Sequence, residues 1–69
     1  MSRRTNLKVF RVKNNLTQAE IAQLIGVDRQ VFAAVESGRC EGRQKFWEAL
    51  QRTFQLSPEE IWSMMKTDN

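Results

Sequence analysis

Apolar residues recur along this chain at the spacing of helices rather than in the alternation of strands. The recurring positions are Val9, Phe10, Ile21, Ala22, Ile25, Phe32 and Val35. Steps of three and four residues place side chains on one face of a helix. The single proline, Pro58, stands where a helix would begin, a position that proline favours. The pattern predicts an all-α fold.

Local signals divide this pattern into five helices. Thr17 to Glu20 and Ser57 to Glu60 have the form of capping boxes, in which a hydroxyl and a glutamate satisfy backbone N–H groups at a helix start. Asn15, Gly26 and Gly38 favour the backbone conformations that end helices, and Asp28 is expected to cap the third helix. The predicted helices run from Asn6 to Asn14, from Thr17 to the turn at Gly26, from Arg29 to Ser37, from Arg43 to Phe54, and from Pro58 through Ile61, Trp62 and Met65.

The apolar faces of these helices form the predicted core. Its members are Leu7, Phe10, Ile21, Ala22, Ile25, Val27, Phe32, Val35, Phe46, Trp47, Leu50, Phe54, Leu56 and Ile61. We expect one domain over residues 1–69, with its core in 6–65, a basic arm in 1–5 and a loose tail in 66–69.

Length and composition narrow the function. A chain of 69 residues supports one compact core and no deep catalytic cleft. With no His and with Cys40 as its only cysteine, it lacks the usual zinc ligands and the nucleophilic arrangements of Ser or Cys with His. We therefore expect no enzymatic activity, no metal and no cofactor. The lone cysteine, the polar start and the lack of a long apolar run favour a soluble, cytoplasmic protein.

Positive charge is concentrated at the start of the chain. Eleven Lys and Arg against eight Asp and Glu give a net charge of +3. Five of these cations fall within the first thirteen residues, namely Arg3, Arg4, Lys8, Arg11 and Lys13. A positive face suits a polyanion such as nucleic acid, although ordinary basic surfaces carry a comparable excess.

The segment from Leu16 to Gly38 meets the requirements of a helix-turn-helix. Ala22 is small enough for two helices to cross closely, Gly26 makes the turn, and apolar residues fill the angle between the helices. The segment resembles the XRE family, the lambda-repressor and Cro-like group, whose pattern runs Leu-Thr-Gln, Ala, Leu-Gly-Val and Glu-Asn-Gly. The resemblance covers about Asn6 to Trp62 and implies a compact five-helix DNA-binding domain; here the closing motif is Glu36-Ser37-Gly38.

The resemblance implies that the helix beginning at Arg29 lies in the major groove of duplex DNA. Arginine pairs with guanine O6 and N7, glutamine with adenine N6 and N7, and an alanine methyl meets a thymine methyl. The implied base contacts are Arg29, Gln30, Ala33 and Ala34, and the implied phosphate contacts are Gln18, Arg39, Arg43 and Lys45. Lys8, Lys13 and Arg52 we interpret as ordinary surface charges.

Two further pairs of residues have expected roles, one as an arm that contacts DNA and one as an ion pair. Arg3 and Arg4 are a candidate arm that follows the backbone or enters a minor groove, or else an idle disordered segment. Family members often pair an arginine of the first helix with the glutamate that closes the third, here Arg11 and Glu36. That ion pair is expected to hold the geometry of the motif.

Family members usually bind near-palindromic operators as symmetric dimers. We therefore expect a double-stranded DNA operator and a second copy of the chain as partners, and no small-molecule effector. Trp62, Met64 and Met65 form the candidate apolar interface, with Trp47 as a further candidate. The alternative is that Trp62 merely covers the core.

Three classes of function remain open at this point. The first is a sequence-specific transcriptional regulator that acts as a repressor. The second is an antitoxin-like protein that binds both operator DNA and a partner protein, and the third is a pure protein-interaction domain. Cys40 lies between Arg39 and Arg43, where positive charge favours a reactive thiolate, so a redox switch is a minor hypothesis beside an incidental thiol.

Overall fold

The computed structural model describes residues 3–68 and is all-helical over that range. Its helices are α1 (Thr5–Lys13), α2 (Gln18–Ile25), α3 (Arg29–Glu36), α4 (Gln44–Phe54) and α5 (Pro58–Met65). Helix α2 packs on α3 and α4, and α1 packs on α5 and α3. The predicted fold class and its five helices are confirmed. No helix within residues 3–68 combines the length and the apolar character needed to cross a membrane.

The helix ends follow the local signals in all but one case. Both capping boxes form: the Thr17 hydroxyl accepts from the Glu20 N–H, and the Ser57 hydroxyl accepts from the Glu60 N–H. Asp28 precedes α3 in extended backbone, but its side chain makes no capping hydrogen bond. Asp28 therefore occupies the predicted N-cap position of α3, but the hydrogen bond expected from its side chain is not formed.

One apolar core joins all five helices. Leu7, Ile21, Phe32, Val35 and Leu50 are fully buried at its centre. Phe46 packs between the rings of Phe32 and Trp47, at centroid distances of 5.9 and 4.9 Å. Each helix contributes at least one buried apolar residue, so the exposed faces of the helices are held in fixed positions around this core.

The last helix differs from expectation at Met64, which the sequence predicted to lie in an exposed apolar patch. Ile61 and Met64, three residues apart, face the core, whereas Trp62 is 61% exposed. A step of one residue turns a helix by about 100°, so Trp62 cannot share the face that Ile61 buries. Met64 belongs to the core and Trp62 to the surface.

Candidate nucleic-acid interface

The turn between α2 and α3 fixes the direction of α3. Gly26 ends α2 in left-handed backbone with φ of 80°, a conformation that costs glycine least. The Val27 N–H then donates to the Ala22 carbonyl across 2.9 Å, and half-buried Val27 packs against the core. The chain therefore reverses tightly, and α3 begins at Arg29 on the outside of the molecule.

Helix α3 has one buried face and one open face. Phe32, Val35 and Glu36 are buried, while Arg29 and Gln30 in its first turn are exposed and Ala33 and Ala34 are half-buried. The Arg29 and Gln30 side chains therefore have room to reach a ligand. The short side chains of Ala33 and Ala34 let a ligand approach the middle of α3 closely. An exposed helix of this size fits the major groove, which is about 12 Å wide.

A hydrogen-bond network behind α3 ties three helices together. Arg11 Nε donates to Glu36 Oε2 at 2.8 Å, and Arg11 Nη1 donates to the Leu16 carbonyl at 2.8 Å. Gln18 Nε2 donates to Glu36 Oε1 at 2.8 Å. The structure thus brings Arg11 and Glu36 together, and it uses one of the two N–H donors of the Gln18 amide. The other amide N–H and the Gln18 backbone N–H, at the first position of α2, are left for an anion.

Basic side chains flank the far end of α3. Arg39, Arg43 and Lys45 are all exposed, and Arg39 Nε donates to the Ser37 hydroxyl at 3.1 Å. The N–H groups of Arg39 and Cys40 both donate to the Ala34 carbonyl, at 2.9 and 3.1 Å. The segment of residues 37–43, which we call the α3–α4 loop, therefore turns close against α3 and keeps its cations near that helix.

Two more cations lie beside α3 on its other side. Arg3 and Lys8 are exposed and line an open cleft together with Gln18, Ala33 and Ser37. Lys8 was interpreted from the sequence as a plain surface charge, and nothing in its local pattern relates it to Ala33. The fold alone places it near the open face of α3.

The position of Arg4 differs from the predicted DNA-binding arm of Arg3 and Arg4. Its side chain is 5% exposed, and its guanidinium donates to the carbonyls of Val35, Cys40, Glu41 and Met65. Burial lowers the pKa of this guanidinium, an effect that the charge of Glu41 partly offsets. A side chain held by four carbonyls cannot reach into a minor groove, so the arm prediction is wrong for Arg4. Met1 and Ser2 lie outside the described residues.

The burial of Arg4 is indicated in the sequence by a helical spacing. Arg4 stands three residues before Leu7 and seven before Arg11, which places all three on one side of a helix. Leu7 is buried and Arg11 is half-buried. The side of α1 that faces inward therefore extends back to Arg4, which precedes the expected helix start at Asn6.

The C-terminal residues contact the start of α1 instead of trailing away. The Asp68 N–H donates to the Arg3 carbonyl at 2.6 Å, and the Thr5 hydroxyl donates to the Asp68 carboxylate. Lys66 Nζ lies 3.8 Å from the centroid of a Trp62 ring. The described part of the predicted tail is exposed but is hydrogen-bonded to the start of α1 through Asp68, and Asn69 lies outside the described residues.

The candidate dimer patch is smaller than expected. Trp62 and Met65 are 61% and 41% exposed, but Met64 is 6% exposed and Trp47 is 5% exposed. Met64 and Trp47 therefore cannot contribute to an interface, because both are enclosed by the core. Trp62 and Met65 remain available.

Cys40 lies in the α3–α4 loop as an exposed free thiol. Within residues 3–68, no cluster of His, Cys, Asp and Glu side chains is arranged to hold a metal ion.

Comparison with known proteins agrees with this geometry. The helix-turn-helix domain family matches residues 4–62. A relative from Archaeoglobus fulgidus, described as an uncharacterised HTH-type transcriptional regulator, is 36% identical over 86% of this chain and 83% of its own length. A second, from Methanocaldococcus jannaschii and described in the same words, is 32% identical over 86% of this chain and 89% of its own. No solved structure matches at a significant level.

The chain belongs to the helix-turn-helix domain family. Its class is that of the DNA-binding transcriptional regulators, and the resemblance stated from the sequence is confirmed.

Proposed function

We propose that this protein is a sequence-specific repressor that reads duplex DNA with the first turn of α3 in the major groove. The observation that carries the proposal is the exposure of Arg29 and Gln30 on a helix whose other face is locked into the core by Phe32 and Val35. A side chain that must read bases gains precision from such a rigid support.

Arg29 and Gln30 supply the base contacts with the most information. Arginine donates two hydrogen bonds to guanine, and glutamine both donates to and accepts from adenine, so each distinguishes one base pair from the others. Ala33 and Ala34 allow close approach and offer methyl groups to thymine. With two polar readers per copy, part of the specificity comes from DNA shape.

Contacts to the phosphates fix the register of α3 on the duplex. Arg39, Arg43 and Lys45 approach the backbone from one end of α3, and the Gln18 backbone N–H does so from the start of α2. Arg3 and Lys8 add positive charge beside the cleft next to Ala33. Cations on both sides of the reading helix match the two strands that border a groove.

Repression follows from occupancy. A domain whose reading helix fills the major groove of an operator excludes other proteins from that groove. Repression of transcription therefore requires no further domain. We place this activity in the cytoplasm, where Cys40 stays reduced, and no small-molecule effector enters the proposal.

Each copy reads one half-site, and two copies are proposed to bind a near-palindromic operator. The centres of its two half-sites lie about one helical turn of DNA apart. Trp62 and Met65 support this step, because a large exposed aromatic beside an exposed methionine is a typical protein contact. The interface is proposed at the end of α5.

The test combines binding with a reporter. The full chain is titrated against labelled duplexes of random sequence at low and moderate salt, and a promoter carrying its selected site is placed before a reporter gene. We expect nanomolar to micromolar binding that weakens with salt, and lower reporter output when the protein is present. Undetectable binding to every duplex at low salt would overturn the proposal, and raised output would overturn the repressor role.

A further inference from the structure

Arg4 lies where three separate segments of the chain meet. Its Nη1 donates to the Val35 carbonyl at 2.7 Å and to the Cys40 carbonyl at 2.7 Å, and its Nη2 donates to the Glu41 carbonyl at 3.1 Å. Its Nε donates to the Met65 carbonyl at 3.0 Å. The guanidinium therefore binds the end of α3, the α3–α4 loop and the end of α5 at once.

Within residues 3–68 the Arg4 guanidinium is hydrogen-bonded to backbone carbonyls and to no carboxylate, and the carbonyls are placed to suit a cation. Val35 and Met65 lie in the last turns of α3 and α5, where carbonyl groups carry partial negative charge. The Arg4 backbone N–H adds a bond to the Glu36 carbonyl at 3.0 Å. A buried arginine whose donors are matched in this way holds its neighbours in one geometry, because any shift would leave a desolvated charge unpaired.

The α3–α4 loop has no regular structure of its own between Glu36 and Gln44. Apart from its turn against Ala34, it is held by Arg4 and by Trp47, whose Nε1 donates to the Glu41 carbonyl at 3.3 Å. Trp47 also lies close beneath Gly42, where an added Cβ would come within 2.8 Å of Nε1. Two side chains from outside the loop thus determine where its backbone lies.

We propose that Arg4 is a positioning residue for DNA binding: it holds the α3–α4 loop so that Arg39 and Arg43 meet the phosphates, and it touches no DNA itself. The inference rests on the proposed function. Arg4 cannot make a phosphate contact of its own, because four of its five N–H donors are engaged with carbonyls and its side chain is buried. Its influence on DNA affinity passes through the loop.

Arg4→Lys tests the proposal, since lysine keeps the charge but lacks the planar fork that reaches separate carbonyls. We expect duplex affinity to fall about tenfold, the size of effect typical of an indirect coupling. Arg52→Lys, at an exposed arginine near the other end of α4, is the matched control and should leave affinity unchanged. Both variants are measured at a temperature where circular dichroism shows full helicity.

A double-mutant cycle separates positioning from simple stabilisation. In a chain that already carries Arg39→Ala and Arg43→Ala, Arg4→Lys should lower affinity less than about twofold, because the contacts it positions are gone. A nitroxide attached to Cys40 should also become more mobile in Arg4→Lys and stay unchanged in Arg52→Lys. An equal loss of affinity in both backgrounds, or an immobile label, would overturn the proposal.

A second variant keeps the test decisive if the Arg4 variants do not fold. Gly42→Ala displaces the same loop at Trp47 without touching Arg4, so it should lower affinity and mobilise the label; wild-type affinity in a folded Gly42→Ala protein would overturn the proposal. If the wild type binds no duplex, the proposed function fails, and with it the role of Arg4 in DNA binding. Binding by the wild type with no loss in Arg4→Lys removes this inference alone.

Discussion

Arg11 and Glu36 form an ion pair across the back of the helix-turn-helix, with Arg11 Nε 2.8 Å from Glu36 Oε2. Both side chains are largely enclosed, at 14% and 8% exposed. Gln18 binds the other oxygen of the same carboxylate. One glutamate at the end of α3 therefore fixes the orientation of that helix against α1 and the start of α2.

Removal of the arginine should destabilise the domain. Arg11→Ala leaves the Glu36 carboxylate buried with Gln18 as its remaining side-chain donor, and we expect the free energy of unfolding to fall by about 3 kcal/mol, the low end for a broken buried pair. Urea unfolding followed by circular dichroism measures this. Arg52→Ala, on an exposed arginine, should change it by less than about 0.5 kcal/mol. An unchanged midpoint in Arg11→Ala would show that the pair is not needed.

The capping box of α2 should make stability depend on acid. Hydrogen bonds from the backbone and hydroxyl of Thr17 lower the pKa of the Glu20 carboxyl. A lowered folded-state pKa means that the unfolded chain binds more protons in this range, so the contribution is present above the ordinary glutamate pKa of about 4.3 and lost as pH falls through the folded value.

Glu20→Gln isolates this effect, because glutamine keeps the capping geometry and does not titrate. Thermal melts between about pH 6 and pH 3 should show the wild type losing more stability than Glu20→Gln as the pH falls. Parallel curves for the two proteins would mean that the Glu20 charge contributes nothing.

Arg43 should contribute to binding without contributing to sequence preference. Arg43→Ala is expected to weaken all duplexes alike and to reduce the slope of log affinity against log salt by about 0.9, the value for one phosphate contact on duplex DNA. Anisotropy titrations at several salt concentrations measure both quantities. Arg52→Ala removes the same charge from the other end of α4, about 13 Å along its axis, and should leave the slope unchanged. A wild-type slope in Arg43→Ala would exclude the contact.

Trp62 should govern self-association. Trp62→Ser is expected to weaken dimerisation at least about tenfold, since large aromatic residues dominate protein interfaces. Sedimentation equilibrium measures the change, and Leu24→Ser, at an exposed leucine on α2, is the control. Only monomer at high micromolar concentration in the wild type would remove the dimer from the account.

The elements that the sequence predicted are those set by neighbours along the chain. Thr17 and Glu20 are three residues apart, as are Ser57 and Glu60, so their capping boxes were readable before any fold was known. The left-handed residue Asn15, with φ of 58°, is likewise a local preference. The helix-turn-helix could also be predicted from the sequence, because the residues that match its pattern reflect packing that many chains share.

The features that sequence reasoning missed depend on distant partners. Arg4 is bound by carbonyls 31 to 61 residues away, and backbone carbonyls leave no trace in residue identity. The misplacement of Met64 has another cause: the phase set by buried Ile61 turns Met64, three residues later, toward the core and leaves Trp62 exposed. The local motif of such a site can therefore be predicted from sequence, whereas the contacts that support it from distant parts of the chain cannot.

Parallel selection of bound sequences from a random duplex pool, with the wild type and Arg29→Ala, tests the central claim most directly. The wild type should enrich a near-palindromic motif, and Arg29→Ala should enrich the same motif with preference lost at one position in each half, a discrimination of about 1 to 3 kcal/mol. The same motif with undiminished preference at every position in Arg29→Ala, or no motif for the wild type, would contradict the assignment of α3 as the reading helix.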